Sequence, residues 1–219
     1  MWLFHSTLKK YWLLFGVSVG VGLLMALASY GLGRMLRPTL HLYGAEVNPP
    51  VPAVGFSFSG ANGQRLDLQT LRGKLVLLYF GDTRCTLDCP LMLQRLAEAR
   101  NSLSQQVEQV AVVFVTLDPQ FDTPSVLKAF LAKYGEGFYG ASGTFQETHD
   151  LAASYDIGYA TDAEGGVTHT PLAFLIDTAG CTRSIYPAAL TAGQIGADLQ
   201  ALLQEPPDAS PCAMGLTPP

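Results

Sequence analysis

The sequence predicts an α/β domain, a central mixed β-sheet flanked by helices. Two observations carry that expectation. Leu75 to Phe80, Val110 to Leu117 and Leu172 to Ile176 are short, continuous apolar runs, the pattern of strands buried on both faces. Between them lie stretches of helical spacing with their own start signals. This alternation implies crossover connections and parallel pairing, and a last short strand adds an antiparallel partner.

Taken in order, the chain opens with residues 1–10, read as a cytoplasmic N-terminus carrying Lys9 and Lys10. Residues 11–33 hold no charged side chain, and a helix of that length spans roughly 34 Å, enough for a bilayer core. Trp12 and Tyr30 near its ends suit the membrane interface. A transmembrane anchor is expected there. The rival reading is a cleaved signal peptide ending near Ala26-Leu27-Ala28, but the apolar run continues past Ala28. Residues 34–53, with Pro38, Pro49, Pro50 and Pro52, read as an extended tether.

The domain is expected over 54–204. Phe56 to Phe58 and Gln64 to Leu68, joined through Asn62-Gly63, read as a small β-hairpin. Leu93, Leu96, Ala97 and Arg100 mark a helix after the first long strand. Thr123-Pro124 starts a second helix, Thr144 with Glu147 forms a capping box for a third, and Thr191 to Gln194 opens the last. Thr182 to Tyr186 is expected as an edge strand. Residues 205–219 are proline-rich and read as an irregular tail. The predicted order is a hairpin followed by β-α-β-α-α-β-β-α.

The chemistry concentrates where the first long strand ends. Gly81 is followed by Asp82-Thr83-Arg84-Cys85-Thr86-Leu87-Asp88-Cys89-Pro90. Two thiols at a strand-to-helix junction feel the positive end of the helix dipole, an environment that favours thiolates. Arg84 adds to this effect; Asp82 and Asp88 oppose it. The spacing lets Cys85 and Cys89 meet as a disulfide when oxidised or share one metal ion. With the thiols after the first long strand, the arrangement is thioredoxin-like. In such a sheet the loop of Thr168-His169-Thr170-Pro171, at the entry to the third long strand, faces the cysteine helix. Two sulfurs and an imidazole suit Cu(I), Cu(II) or zinc.

Several other residues have ordinary explanations. Asp118 and Asp122 read as structural, with Asp122 and Thr123 capping the next helix. His5, His41 and His149 read as incidental, and Met214 carries little weight alone. Cys181 and Cys212 are a candidate disulfide pinning the tail to the domain. From Ala45 onward nine basic residues face eighteen acidic ones. That balance disfavours phosphate backbones, so no nucleic-acid partner is expected.

Gly73 to Gly81 with Cys85-x-x-x-Cys89-Pro90, Leu117-Asp118-Pro119-x-x-Asp122-Thr123-Pro124, and His169 before Phe174 to Asp177 together resemble the Sco/SenC family. The resemblance covers about Val54 to Leu203. It implies a membrane-tethered, thioredoxin-like copper protein that helps assemble the dinuclear copper site of cytochrome c oxidase. The implied ligands are Cys85, Cys89 and His169. The implied partners are the copper-bearing oxidase subunit and other copper chaperones, with the domain on the periplasmic side of the inner membrane. This chain departs from the family in two places. Thr86 and Leu87 stand where Pro and Asp are usual between the cysteines, the nearest acid being displaced to Asp88. Thr170-Pro171 resembles the cis-proline loop of thioredoxins. Both departures keep an alternative in view, a thiol–disulfide oxidoreductase that reduces the cysteines of a copper protein before metallation.

Overall fold

The computed structural model describes residues 19–29, 40–161, 166–205 and Cys212. The chain divides into two units, Met1–Leu40 and His41–Pro219. In the first, residues 19–29 are helical with exposed side chains. No helix among the described residues is long and apolar enough to cross a membrane. The rest of the expected anchor at 11–33, the expected cytoplasmic residues 1–10, and the tail beyond Glu205 apart from Cys212 lie outside the described residues.

The second unit is built on an eight-stranded mixed sheet. Its strands are β1 (Ala45–Pro52), β2 (Ser57–Gly60), β3 (Arg65–Asp67), β4 (Leu75–Gly81), β5 (Val110–Thr116), β6 (Phe138–Ser142), β9 (Leu172–Ile176) and β10 (Cys181–Pro187). Two further short strands, β7 (Tyr159–Thr161) and β8 (Val167–His169), form a separate hairpin. The helices are α1 (Asp88–Asn101), α2 (Pro124–Leu131), α3 (Phe145–Ser154) and α4 (Ala192–Gln204). In the large sheet the strand order is β1-β10-β9-β4-β5-β6-β2-β3. Strands β4, β5 and β6 run parallel, and the remaining pairs are antiparallel.

Strands β4 and β5 occupy the middle, and every residue of both is buried, as their unbroken apolar runs require. Val76, Leu78 and Phe80 of β4 pack into one core with Leu151, Ala152 and Tyr155. Alternate residues of a strand face opposite ways, so Leu75, Leu77, Tyr79 and Gly81 belong to the other face, where Gly81 meets α1. Three helix starts follow their sequence signals. Thr123 caps α2, and Thr144–Glu147 and Thr191–Gln194 form complete capping boxes for α3 and α4. In the predicted hairpin, Gly63 takes φ +79°, which glycine adopts without a Cβ clash.

Three features of the architecture correct the sequence expectations. Ala45–Pro52, read as the end of the tether, is an edge strand paired with β10, so β10 is not itself an edge. Buried Asp198 of α4 ties down the entry to β1 by accepting the Tyr43 N–H at 2.8 Å and the Gly44 N–H at 3.2 Å. Prolines at an edge cost few ladder bonds, so composition alone hid this strand. Strand β6 lies between α2 and α3, where two consecutive helices were expected. It is short and contains Gly140, which weakens its apolar signature. Finally, the Thr170–Pro171 peptide is trans: the cis peptide among the described residues is Asn48–Pro49. The thioredoxin-type cis-proline comparison therefore does not hold.

Candidate metal centre

The site is assembled where β4 ends. Gly81 is the last strand residue, and a Cβ there would lie 2.7 Å from Cys89 Sγ and 3.0 Å from Phe114. Only a hydrogen fits, and its absence of bulk lets the Cys89 sulfur sit against the strand. Cys89 is fully buried in the first turn of α1, and Cys85 is half-buried in the preceding loop. Both are free thiols. The residue that would cap α1 is Leu87, which offers no side-chain acceptor. Cys85 substitutes for it: the Cys89 N–H points at Cys85 Sγ over 3.2 Å. The helix start thereby holds the two sulfurs together.

His169 comes from the far end of the chain. It ends β8, opposite Tyr159 in the small hairpin, and its Nε2 is 3.3 Å from Cys89 Sγ. Its Nδ1 is 3.0 Å from the Thr170 carbonyl oxygen. A carbonyl only accepts, so Nδ1 carries a ring proton, and in the neutral ring Nε2 presents its lone pair to the sulfur. The Tyr79 ring packs edge-on against His169, with centroids 5.9 Å apart. Burial pushes the Cys89 thiol well above the usual thiol range, and burial beside Cys89 does the same to the Tyr79 hydroxyl.

The loop between strand and helix is held by carboxylates. Asp82 Oδ1 accepts the N–H groups of Arg84 at 3.0 Å and Cys85 at 2.9 Å. Asp122, fully buried, accepts the Thr83 N–H at 3.1 Å, the Thr83 hydroxyl, and the Thr116 hydroxyl at 2.5 Å. Arg84 reaches Asp118 at 2.5 Å and lies over the Phe121 ring. The Asp118–Asp122 segment therefore does more than start a helix. Thr123 alone caps α2, while Asp122 binds the cysteine loop to the end of β5.

The structure sets Cys89 between the other two residues singled out from the sequence, with Cys85 at its N–H and His169 at its sulfur, but His169 does not belong to the group of ligand atoms that lie within 4.8 Å of one another. It adds a carboxylate that sequence reasoning treated only as an opponent of thiolate formation. An oxygen of Asp82, Cys85 Sγ and Cys89 Sγ all lie within 4.8 Å of one another. The available signal was position, since an Asp two or three residues before an N–H commonly folds back to accept it. Asp88 is exposed on α1. Among the incidental histidines, His149 is exposed on α3 and His41 pairs with Glu46 at 3.6 Å; His5 lies outside the described residues. Cys181, buried, is joined to Cys212 in a disulfide with Cα atoms 5.5 Å apart. Met214 lies outside the described residues. Two sulfurs and a neutral imidazole nitrogen make a donor set for a soft or borderline metal ion.

Known proteins are similar to this chain in sequence and fold. A profile of the SCO1/SenC family matches residues 48–204. An SCO2-like protein of Rickettsia prowazekii is 28% identical over 183 residues, 80% of this chain and 88% of its own length. The structure of Bradyrhizobium japonicum ScoI with copper bound superposes with a TM-score of 0.63 at 27% identity, covering 69% of this chain and 99% of that one. Apo Sco1 of Thermus thermophilus gives a TM-score of 0.66 at 31% identity over 75% of this chain and 98% of its own. The mixed α/β fold is thioredoxin-like, as in those structures. With the family profile spanning most of the folded domain, the chain belongs to the SCO1/SenC family.

Proposed function

We propose that this protein holds copper between Cys85, Cys89 and His169 and passes it to the dinuclear copper site of cytochrome c oxidase. The observation that carries the reading is the 3.3 Å approach of His169 Nε2 to Cys89 Sγ, with the Nδ1 proton committed to a carbonyl. A ring nitrogen against one thiol, with a second thiol within 4.8 Å of that sulfur, supports a soft donor set centred on Cys89. Its relative in Bradyrhizobium japonicum carries copper on the same fold.

The residues divide the work of a carrier. Cys89 and the strand end supply a buried, rigid side. Cys85 is half-buried, so a recipient's ligands can approach from that side and replace donors one at a time. Both thiols must lose their protons for the metal to bind. Oxidation to a Cys85–Cys89 disulfide, which gives up two electrons and two protons to an external oxidant, removes both sulfur donors. Loading is therefore tied to redox state.

The uncharged segment 11–33 supports a single-pass anchor in the inner membrane, with the domain on the periplasmic side and the oxidase's copper-bearing subunit and other copper chaperones within reach. The Cys181–Cys212 disulfide agrees with an oxidising compartment.

The test is copper stoichiometry of the reduced full-length chain in detergent, beside Cys85→Ser, Cys89→Ser and His169→Ala. A single copper ion per chain, lost or weakened in each variant, is expected, with sulfur-to-copper charge-transfer bands in the Cu(II) form. Unchanged loading in all three variants would sink the reading. Absence of stable copper, together with a mixed disulfide trapped on a copper protein, would replace it with the thiol–disulfide oxidoreductase.

A further inference from the structure

A buried carboxylate beside the two sulfurs is not among the three ligands just named. Asp82 is only 1% exposed. Its Oδ1 is occupied by the Arg84 and Cys85 N–H groups. Its Oδ2 is buried and has no hydrogen-bond partner. Burying a carboxylate oxygen away from water and from every donor is unfavourable unless a proton or a cation neutralises it. Cation-binding atoms adjoin it: a carboxylate oxygen of this residue and both cysteine sulfurs lie within 4.8 Å of one another. Asp88, the other acid of the loop, is exposed and makes no such cluster among the described residues.

We propose that Asp82 is a fourth, oxygen ligand of this site and that it biases the site towards divalent over monovalent copper. The inference rests on the copper reading above and deepens it. Two physical arguments give the direction. Carboxylate oxygen is a hard donor and prefers the divalent ion, whereas two thiolates and an imidazole already satisfy the soft monovalent one. Charge acts the same way. Two thiolates and one carboxylate place three negative charges around one ion. A divalent ion offsets two of them and a monovalent ion only one, and the difference is felt strongly where water is excluded. The hydrogen bonds to Oδ1 hold the carboxylate in place before any ion arrives, so the oxygen donor is positioned by the loop itself.

The experiment compares the full-length chain in detergent with Asp82→Asn, under anaerobic conditions. Asparagine keeps an acceptor oxygen for the Arg84 and Cys85 N–H groups and removes the charge. Cu(II) and Cu(I) affinities are measured separately by competition with chelators of known strength. The Cu(II) affinity is expected to fall about tenfold or more, with the Cu(I) affinity nearly unchanged. A tenfold change in that ratio raises the reduction potential of the bound copper by about 59 mV. Equal losses for both ions would mean a merely structural role and overturn the proposal, as would no change in either.

A second measurement stands independently of how the variant folds. The wild-type chain is labelled with 13C at its aspartate carboxyl groups, loaded with Cu(II) and examined by pulsed EPR. A carbon coupling from a directly bound carboxylate is expected, and its absence overturns the proposal. A chain that loads copper yet shows no such coupling refutes the fourth ligand alone. One that takes up no copper refutes the function and this inference together.

Discussion

Gly81 and Cys89 share one space. The strand residue forgoes a side chain, and a Cβ there would lie only 2.7 Å from the sulfur of the helix residue. A buried thiol against a central strand is thereby possible without moving α1 away from the sheet.

Gly81→Ala should displace the Cys89 sulfur and press on Phe114, 3.0 Å from the added carbon. Neither neighbour is a flexible surface group. Overpacking of a tight core typically costs about 1–3 kcal/mol. The expected outcome is a lowered Tm together with weakened copper binding, read by thermal unfolding and metal competition on the same sample. A variant with normal stability and normal loading would show that the contact is unimportant.

Asp122 is expected to matter for the cysteine loop although it does not touch the cysteines. Asp122→Ala removes the acceptor for the Thr83 N–H and for the hydroxyls of Thr83 and Thr116. Leaving a buried donor unpaired costs about 1–3 kcal/mol, so a loss of roughly 3 kcal/mol is expected in urea unfolding. Copper affinity should fall as well, because the loop between β4 and α1 loses its tie to β5. Copper affinity unchanged in a folded variant would confine Asp122 to stability.

Alkaline pH should unfold the domain through its buried tyrosines. Tyr79, Tyr155 and Tyr186 are each under a tenth exposed, and burial raises all three well above the usual phenol range. The sign follows from linkage: the unfolded chain ionises first, near pH 10, so stability is full below that value and falls as pH climbs above it. Each such tyrosine contributes a slope of about 1.4 kcal/mol per pH unit. Tyr155 donates to the Val54 carbonyl at 3.1 Å. Tyr155→Phe is expected to reduce the slope between pH 10 and 11.5 by about 1.4 kcal/mol per pH unit, the contribution of one such tyrosine. Urea unfolding at a series of pH values measures it, and an unchanged slope would count against the assignment.

Cys212→Ser should loosen the end of the chain without touching the metal site. The disulfide links residues 31 apart. Closing a loop of that length in the unfolded chain corresponds to about 3–4 kcal/mol on the chain-entropy account. Lower stability with unchanged copper stoichiometry is expected. Loss of copper would join the tail to the site.

Local signals were largely readable from the chain alone. The runs of β4, β5 and β9 stand out because strands buried on both faces are nearly all apolar. The starts of α2, α3 and α4 stand out because Thr123, Thr144 and Thr191 satisfy orphan N–H groups within three residues. The two thiols stand out because a strand followed at once by a helix leaves few places for them to go. Asp122 was read as a cap, since its neighbour in sequence is a helix; its partner is Thr83, 39 residues away.

Elements that carry short-range periodicity or caps, together with the two cysteines and the family pattern around them, are thus legible in the chain itself. Tertiary structure decided the rest. Ala45–Pro52 becomes a strand only because β10 offers it an edge. His169 becomes a neighbour of Cys89, 80 residues distant, only because β9 pairs with β4 and carries the small hairpin to the end of the sheet. Asp82 changes from a repelling charge to a candidate ligand once its Oδ1 is taken by the loop and its Oδ2 is buried without a donor. The physical reason is common to all three. Strand pairing, metal-ligand convergence and the burial of a charge depend on distances in space, and those are set by the packing of the whole sheet rather than by neighbouring residues.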